Sequence, residues 1–172
     1  MKKTLLSLTF LLCSFFFANA QTTLIGAETF HVQLPANYSR TIGVNDLASV
    51  QWEHAEKELY GYIIFENGEE MKLAELHLSL INYAELCLND FSEIENYQLI
   101  KTENYQTNNG LQTIEHTISY QNTELNTKIM MQINAYKTPN FFYKLIQFGD
   151  ETSFKAHASE LQKIAKDIKF PL

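Results

Sequence analysis

The sequence predicts an α+β fold, in which an antiparallel sheet of about seven strands packs against two long helices. Apolar residues alternate with polar ones along seven short segments, which is the period of strands with one buried face. In two longer segments the apolar residues recur at spacings of three and four, which is the period of an amphipathic helix. The predicted order is three strands, a helix, four strands and a helix, and such runs of strands favour a mainly antiparallel sheet.

Three strands are predicted before the first helix. Residues 30–34 alternate and end at Pro35, which stops the first strand. Residues 36–48 contain glycine, serine and asparagine and are predicted to form a loop. Residues 50–54 and 59–66 then form two further apolar runs around a charged turn, so we expect them to pair as a hairpin.

The first long helix is predicted from Leu73 to Phe91. Asn67 and Gly68 interrupt the preceding strand, and the apolar period then changes from two to between three and four. At 100° per residue these apolar side chains form one stripe over roughly five turns of helix. The stripe consists of Leu73, Leu76, Leu80, Tyr83, Ala84, Cys87 and Phe91.

Four more strands follow this helix. They are predicted at residues 97–105, 111–120, 128–136 and 141–148. Between the first two stands Asn109-Gly110, the pair that favours a type I′ hairpin turn with positive φ at both positions.

The last helix, from Thr152 to Phe170, has an apolar stripe and a basic flank. The stripe contains Phe154, Ala158, Leu161, Ile164, Ala165 and Ile168, and indicates packing against the core. A basic amphipathic helix can also dock on anionic lipid or on an acidic partner. We therefore treat the lysines of that flank as candidate partner-binding residues, namely Lys155, Lys163, Lys166 and Lys169.

The predicted order, the opening Phe30-x-Val32-x-Leu34-Pro35 and the closing helix together resemble the PsbP-like family. The resemblance spans residues 28–170. It implies a central antiparallel sheet between helices and transfers no catalytic residue. A START-like helix-grip fold, which binds hydrophobic ligands, is the alternative architecture.

The first twenty residues have the pattern of a secretory signal peptide. Lys2 and Lys3 precede an apolar run that ends in Ala18-Asn19-Ala20. Cleavage after Ala20 would leave residues 21–172 as a single domain in the periplasm or outside the cell. Lipoprotein processing at Cys13 is the less favoured alternative.

The mature chain is expected to be acidic. Without the two lysines of the signal peptide it has 11 basic and 20 acidic residues, a formal charge of −9. Nucleic-acid binders present a basic surface, so this balance argues against one. Cys87 would be the only remaining cysteine, and its position on the predicted apolar stripe indicates a small buried side chain.

The sequence contains no known catalytic or metal-binding motif. The five histidines lack the spacing of a local zinc site, and no nucleophile elbow or phosphate-binding glycine loop is present. We therefore predict a protein that is not an enzyme and needs no cofactor or metal. A metal-assisted hydrolase stays an alternative only if at least three of His31, His54, His116, His157 and nearby acids converge.

Aromatic residues offer a second candidate surface. Tyr60 and Tyr62 share one face of a predicted strand and are candidates for contact with a peptide, glycan or lipid, although aromatic side chains also suit a sheet core. The sequence as a whole predicts an accessory or binding protein of the bacterial envelope, with an unknown protein or a small apolar ligand as its partner. Transport of a hydrophobic small molecule is the alternative, and it requires an enclosed apolar cavity.

Overall fold

The computed structural model describes residues 22–26 and 30–170, so the predicted signal peptide lies outside the described residues. Nine strands are present in this part of the chain. They are β1 (Thr22–Ile25), β2 (His31–Leu34), β3 (Ser39–Arg40), β4 (Val50–His54), β5 (Leu59–Asn67), β6 (Gln98–Gln106), β7 (Gln112–Asn122), β8 (Thr127–Lys137) and β9 (Phe141–Asp150). The helices are α1 (Gly68–Leu73), α2 (Leu80–Asn89), α3 (Glu151–Ala156) and α4 (Ala158–Asp167).

Seven of the strands form one antiparallel sheet in the order β3-β4-β5-β9-β8-β7-β6. Strands β1 and β2 form a separate antiparallel pair, and β2 is tied to the end of the chain by an isolated bridge between His31 and Lys169. The predicted α+β class and the predicted sheet of about seven strands are confirmed. The first predicted strand, at residues 30–34, lies outside this sheet as β2, and the seventh place is taken by β3, within the segment predicted to be a loop.

The sheet is covered on both faces. On the face that we call the α2 face, Tyr83, Ala84 and Cys87 of α2 pack against the central strands. On the opposite face, which we call the α4 face, β2 and the helices α3 and α4 pack against the sheet, with Leu161 and Ile164 fully buried. Helices on both sides of the sheet agree with the PsbP-like architecture, whereas a helix-grip fold wraps its sheet around one long helix.

The long helix predicted from Leu73 to Phe91 is wrong in extent. Leu73 is 84% exposed and ends α1, and Glu75 then adopts a left-handed conformation with φ of 63°. Ser79 begins α2, because its hydroxyl accepts a hydrogen bond from the backbone N–H of Asn82. Leu73 and Leu76 matched the apolar period, but they lie in front of the helix that buries the rest of the stripe.

The predicted last helix is divided at His157 into α3 and α4. Asp150 caps α3 through its carboxylate, which accepts from the N–H groups of Thr152 and Ser153. The predicted packing of this helix against the core is confirmed, since Phe154, Leu161, Ile164, Ala165 and Ile168 are all buried. Ala158 is exposed instead.

The hairpin predicted at Asn109-Gly110 is present between β6 and β7, but its turn is not type I′. Only Gly110 has a positive φ, of 81°, while Asn109 does not. The loop spans Thr107 to Leu111 and is closed by a hydrogen bond from Gly110 N–H to the carbonyl of Thr107. A turn of this length followed by a left-handed glycine is the common three-residue alternative to the two-residue turn.

Gly61 allows the one tryptophan of the chain to lie flat against the sheet. Trp52 on β4 stands directly opposite Gly61 on β5, and a Cβ atom at Gly61 would lie 2.4 Å from the indole ring. Trp52 is fully buried there.

Within residues 22–26 and 30–170, no helix has the length and apolar character needed to cross a membrane.

Candidate functional site

Beneath α3 and α4 the sheet presents a row of buried polar side chains, which we call the polar floor. Strand register places these residues side by side, with Glu115 opposite Asn134 and with Thr117 opposite Gln132. Gln147 on β9 continues the row beside Gln132. Each of these side chains is at most 4% exposed, so these polar groups are buried although they are not part of an apolar core. The polar floor consists of Glu115, Thr117, Gln132, Asn134 and Gln147.

A directional chain of hydrogen bonds fixes the carboxylate of Glu115. The Nε2 group of Gln147 donates to the backbone carbonyl of Leu161 on α4, at 2.9 Å, and to Oε1 of Gln132, at 3.2 Å. Gln132 in turn donates through its Nε2 group to Oε2 of Glu115, at 2.5 Å. Gln147 donates both of its bonds through Nε2, whereas Gln132 accepts at Oε1 and donates through Nε2, so the chain connects helix α4 to one oxygen of Glu115.

The other oxygen of Glu115 has a weaker and shared partner. The ammonium of Lys101 stands 3.5 Å from Oε1 of Glu115 and donates a shorter bond, of 2.8 Å, to Oε2 of Glu103. The hydrogen bond to Glu103 and the charges of both glutamates raise the pKa of Lys101. The side chain of Lys101 is 44% exposed, so a buried carboxylate is balanced by a cation that lies at the surface.

Strand β6 contributes a further hydrogen-bond donor to the site. The hydroxyl of Tyr105 donates to Oδ1 of Asn134 at 2.6 Å. Burial raises the pKa of Tyr105 well above its ordinary value, so this hydroxyl stays a neutral donor. In the described part of the chain, the Nδ2 group of Asn134 and Oε1 of Gln147 have no hydrogen-bond partner. The polar floor therefore holds hydrogen-bonding capacity that the fold itself does not use.

The polar floor opens into a groove of about 420 Å³ between β6–β8 and helices α3 and α4, which we call the α4 groove. Glu115, Thr117 and Gln132 lie at its base. Its walls and rim combine apolar and polar side chains. They are Ile100, Lys101, Met130, Phe154, Lys155, Ala158, Ser159 and Gln162.

A larger groove of about 630 Å³ lies on the other side of α4, between this helix and β2. It is lined by Gln33, Pro35, Ala36, Ser159, Glu160, Lys163 and Ile164. Its two charged lining residues are the half-buried Glu160, of which one oxygen is buried, and the exposed Lys163. We place the candidate site in the smaller α4 groove, because a buried carboxylate on a fixed support is a stronger sign of recognition than volume.

The four candidate lysines do not form one free basic surface. Lys155 pairs with Glu151 at 2.7 Å, Lys163 pairs with Asp167, and the ammonium of Lys166 lies over the ring of Tyr105 at 5.2 Å. Lys169 is exposed, and its backbone pairs with His31. Two of the four line grooves, Lys155 in the α4 groove and Lys163 in the larger one. Their role in partner binding stays a prediction.

The two candidate tyrosines lie on the opposite side of the sheet from these lysines. Tyr62 is 7% exposed and belongs to the core of the α2 face. Tyr60 is half-buried and stacks on Phe148 with 5.5 Å between ring centres. The structure therefore does not bring the lysines and the tyrosines together, and much of the tyrosine pair serves the core.

The histidines named for a metal-assisted hydrolase do not converge. The rings of His54 and His157 are 6.1 Å apart, but His116 lies on the α2 face, where Oγ1 of Thr102 is 2.8 Å from its Nδ1. Burial lowers the pKa of His116. Among residues 22–26 and 30–170, no group of three or more histidine, cysteine or acidic side chains could hold a metal ion.

Cys87 is buried on α2, as predicted, and burial raises the pKa of its thiol to about 12. A thiol of this kind is protonated at neutral pH and is a poor nucleophile. Cys87 therefore belongs to the core of the α2 face rather than to a reactive site.

The polar floor was not predicted from the sequence. The alternation in β7 places Ile114 and Ile118 on one face and Thr113, Glu115 and Thr117 on the other. A period of two predicts that the second face is exposed to water, whereas α3 and α4 cover it. The available signal was Glu115, an acidic residue in the middle of a predicted strand that has predicted strands before and after it in the sequence. Such a strand has a partner on each side within the sheet, where helices can cover both faces.

The order of the strands and the placement of helices on both faces define a PsbP-like fold. A PsbP protein from the cyanobacterium Synechocystis sp. PCC 6803, CyanoP, is 10% identical, with a TM-score of 0.59 over 91% of this chain and 95% of that chain. LpqN, involved in cell envelope biogenesis of Mycobacterium tuberculosis, is 8% identical, with a TM-score of 0.56 over 88% and 91%.

A Pseudomonas aeruginosa protein of unknown function, PA94, is 9% identical, with a TM-score of 0.52 over 88% of this chain and 97% of that chain. No family model and no curated protein matches this chain. Identities near one residue in ten establish the shared fold, and a shared fold leaves function to be argued from the site.

Proposed function

We propose that this protein is an exported accessory protein of the bacterial cell envelope that acts by binding rather than by catalysis, and that the α4 groove is its binding site. The observation that carries the proposal is the polar floor, in which Gln132 holds the buried carboxylate of Glu115 and is itself linked to α4 through Gln147. Such support for one side chain is what a pre-organised binding site requires.

The energetic argument favours binding over a purely structural role. A buried polar group contributes little net stability even when it is paired, and an apolar interface between sheet and helix would cost less desolvation. Residues 114 and 118 of the same strand show that this sequence can build an apolar face. The buried polar side chains that line the groove, at 115, 117 and 132, are therefore better explained by a ligand than by folding.

The envelope assignment rests on two independent indications. The N-terminal twenty residues have the pattern of a signal peptide. LpqN, whose fold is similar, is described as acting in cell envelope biogenesis. Binding without catalysis is favoured because the α4 groove contains a fixed carboxylate but neither an activated nucleophile nor a histidine base.

Transport of a hydrophobic molecule is less well supported. That function needs an enclosed apolar cavity between sheet and helix, whereas both grooves along α4 open to the solvent. The base of the α4 groove is also polar. A wholly apolar ligand would leave Glu115 and Gln132 without water and without new partners, which is unfavourable.

The proposal is tested by filling the groove from its rim. Ala158→Trp places an indole in the α4 groove at an exposed position, and Glu85→Trp places the same side chain on the exposed surface of α2 as the matched control. The protein and both variants are screened by thermal unfolding against small molecules extracted from envelope fractions. We expect at least one compound that stabilises the protein and Glu85→Trp but not Ala158→Trp. Absence of any stabilising compound, or equal stabilisation of both variants, would contradict the proposal.

A further inference from the structure

We infer that the α4 groove recognises its ligand through an amino group, and that Glu115 is the side chain that accepts hydrogen bonds from it. This inference rests on the proposed function, because it names the chemical class of ligand for that groove. Two observations point to it. Glu115 has one firmly held oxygen and one weakly paired oxygen, and Lys101, the cation that pairs with it among the described residues, is shared with another glutamate.

The acceptor capacity of Glu115 is only partly used. A carboxylate offers about four acceptor positions on its two oxygens. Gln132 occupies Oε2 at 2.5 Å, while the ammonium of Lys101 is 3.5 Å from Oε1, beyond the length of a good charged hydrogen bond. Oε1 is therefore the atom at which a ligand can add a short, charge-assisted bond.

A ligand can replace Lys101 as the cationic partner of Glu115, because Lys101 also binds a second carboxylate. It donates its shorter bond, of 2.8 Å, to Glu103, whose side chain is 46% exposed at the rim. If a ligand ammonium binds Oε1 of Glu115, Lys101 keeps its bond to Glu103 and neither cation is left without an anion. The ligand then supplies the charge that a carboxylate with 2% exposure needs in order to be buried favourably.

The rest of the groove restricts the body of the amine. Phe154, Met130 and Ile100 provide apolar wall, and Ser159 provides a hydroxyl at the rim. Lys155 also lines the groove, but its ammonium is bound to Glu151 at 2.7 Å. A volume of about 420 Å³ lies within the range of small-molecule sites. The geometry therefore fits a compact primary amine with an apolar or aromatic body.

The test compares three compounds of similar size and different charge. 2-Phenylethylamine, 2-phenylethanol and 3-phenylpropionate are titrated separately into the whole mature protein, and binding is followed by NMR chemical shifts of backbone amides. We expect the amine to bind and to shift amides of β7, α3 and α4, with the alcohol and the acid at least about tenfold weaker.

Three variants identify the contacts. Glu115→Gln keeps the shape and the bond from Gln132 but removes the charge, and is expected to weaken amine binding about 10- to 100-fold. Lys101→Met removes the competing cation and is expected to tighten amine binding at least about threefold, which a merely structural role for this lysine would not produce. Glu85→Gln, on the exposed side of α2, is the matched control and should leave the affinity unchanged.

The outcomes separate this inference from the proposed function. Binding of the alcohol or the acid in the groove without binding of the amine would overturn the amine class and keep the groove as a site. Equal affinity of the protein and Glu115→Gln for the amine, or weaker binding by Lys101→Met, would overturn the role of Glu115. Failure of all three compounds would also overturn the inference, while the envelope-extract screen decides separately whether the groove binds anything. If Glu115→Gln does not fold, the comparison of the three compounds and Lys101→Met still decide.

Discussion

The two faces of the central strands are made from alternate residues of the same segments, yet they are built on different principles. On the α2 face, Ile114, Ile118 and Ile133 form a continuous apolar core with α2. On the α4 face, the neighbouring residues Glu115, Thr117 and Gln132 are equally buried but polar. At β7 and the adjoining part of β8, one face thus stabilises the fold by excluding water. The other face holds positioned polar groups at a cost in stability, beside the apolar core that Leu161 and Ile164 join.

This difference assigns separate roles to the two helical layers. Helix α2 completes a core, and its packing explains the burial of Tyr83, Ala84 and Cys87. Helix α4 does two things, because its apolar residues Leu161 and Ile164 join a core near β2 while the carbonyl of Leu161 also accepts from Gln147. If the two layers have these separate roles, substitutions on the two faces should differ in their effect on stability.

The largest effect is expected at Leu161, which is 1% exposed. Leu161→Asp places an unpaired charge in the core of the α4 face, which should cost several kcal/mol and abolish cooperative unfolding. Ser159→Asp, on the exposed side of the same helix, is the control and should unfold cooperatively. Thermal and urea unfolding followed by circular dichroism measures both. A cooperative transition for Leu161→Asp would show that α4 is a detachable docking helix rather than a wall of the core.

The second effect concerns the hydrogen-bond chain of the polar floor. Gln132→Leu leaves Oε2 of Glu115 without its donor and deprives Gln147 of an acceptor. We expect a loss of about 2–4 kcal/mol in the free energy of unfolding, since buried groups are left unpaired. Gln162→Leu is the control, because Gln162 lines the groove but takes no part in this chain of hydrogen bonds. It should change stability by less than about 1 kcal/mol. Equal losses in both variants would contradict the structural importance of the chain.

A third prediction compares the two faces directly by giving adjacent residues the same new side chain. Ile118→Val removes a methylene from the α2 face and should cost about 0.5–1.5 kcal/mol. Thr117→Val replaces a buried hydroxyl on the α4 face by a methyl group of the same shape, and should leave stability unchanged or raise it by up to about 1 kcal/mol. Urea unfolding of the two variants measures the difference. A larger loss for Thr117→Val than for Ile118→Val would reverse the comparison.

The smallest effect is a pH dependence from the α2 face. Burial lowers the pKa of His116 below its ordinary value of 6.5, with smaller opposing effects from the Ala84 backbone and Glu85. The unfolded chain therefore binds the proton more readily, so this contribution to stability is complete above pH 6.5 and declines as the pH falls below it.

We expect His116→Gln to have a flatter stability profile between pH 7 and pH 5 than the parent protein. His77, which is exposed, provides the matched control as His77→Gln and should retain the slope. An identical slope in His116→Gln would show that other groups are responsible for the pH dependence.

Most of the fold could be predicted because local periodicity records burial on each strand and helix. The strands β4 to β9 and the amphipathic character of α2 and α4 all follow from it. The helix boundary at Ser79 could have been predicted from its cap chemistry, but the two preceding leucines matched the helical period and obscured it. The sequence alone could not place a break at His157, where the next turn of the helix continues the same stripe.

The candidate site was less predictable than the fold. The alternation in β7 distinguishes two faces, but whether water or a second helix covers the polar face depends on contacts between residues far apart in the chain. Gln147 and Leu161 meet because α4 packs back on β9, and Lys101 and Glu115 meet because β6 pairs with β7. Charged residues on a predicted helix were easier to notice, and three of the four lysines there pair with their own chain.

The sheet has two edges of very different length, and this has a consequence for the colloidal behaviour of the protein. One edge, β3, has two residues, whereas the other, β6, has nine, eight of which are exposed. An exposed edge is a template for pairing with further strands, and a β-bulge is a common device that prevents it. Strand β6 has such an irregularity between Leu99 and Lys101. Mutual repulsion between acidic molecules weakens as salt screens it, whereas an irregularity in strand pairing does not depend on ionic strength.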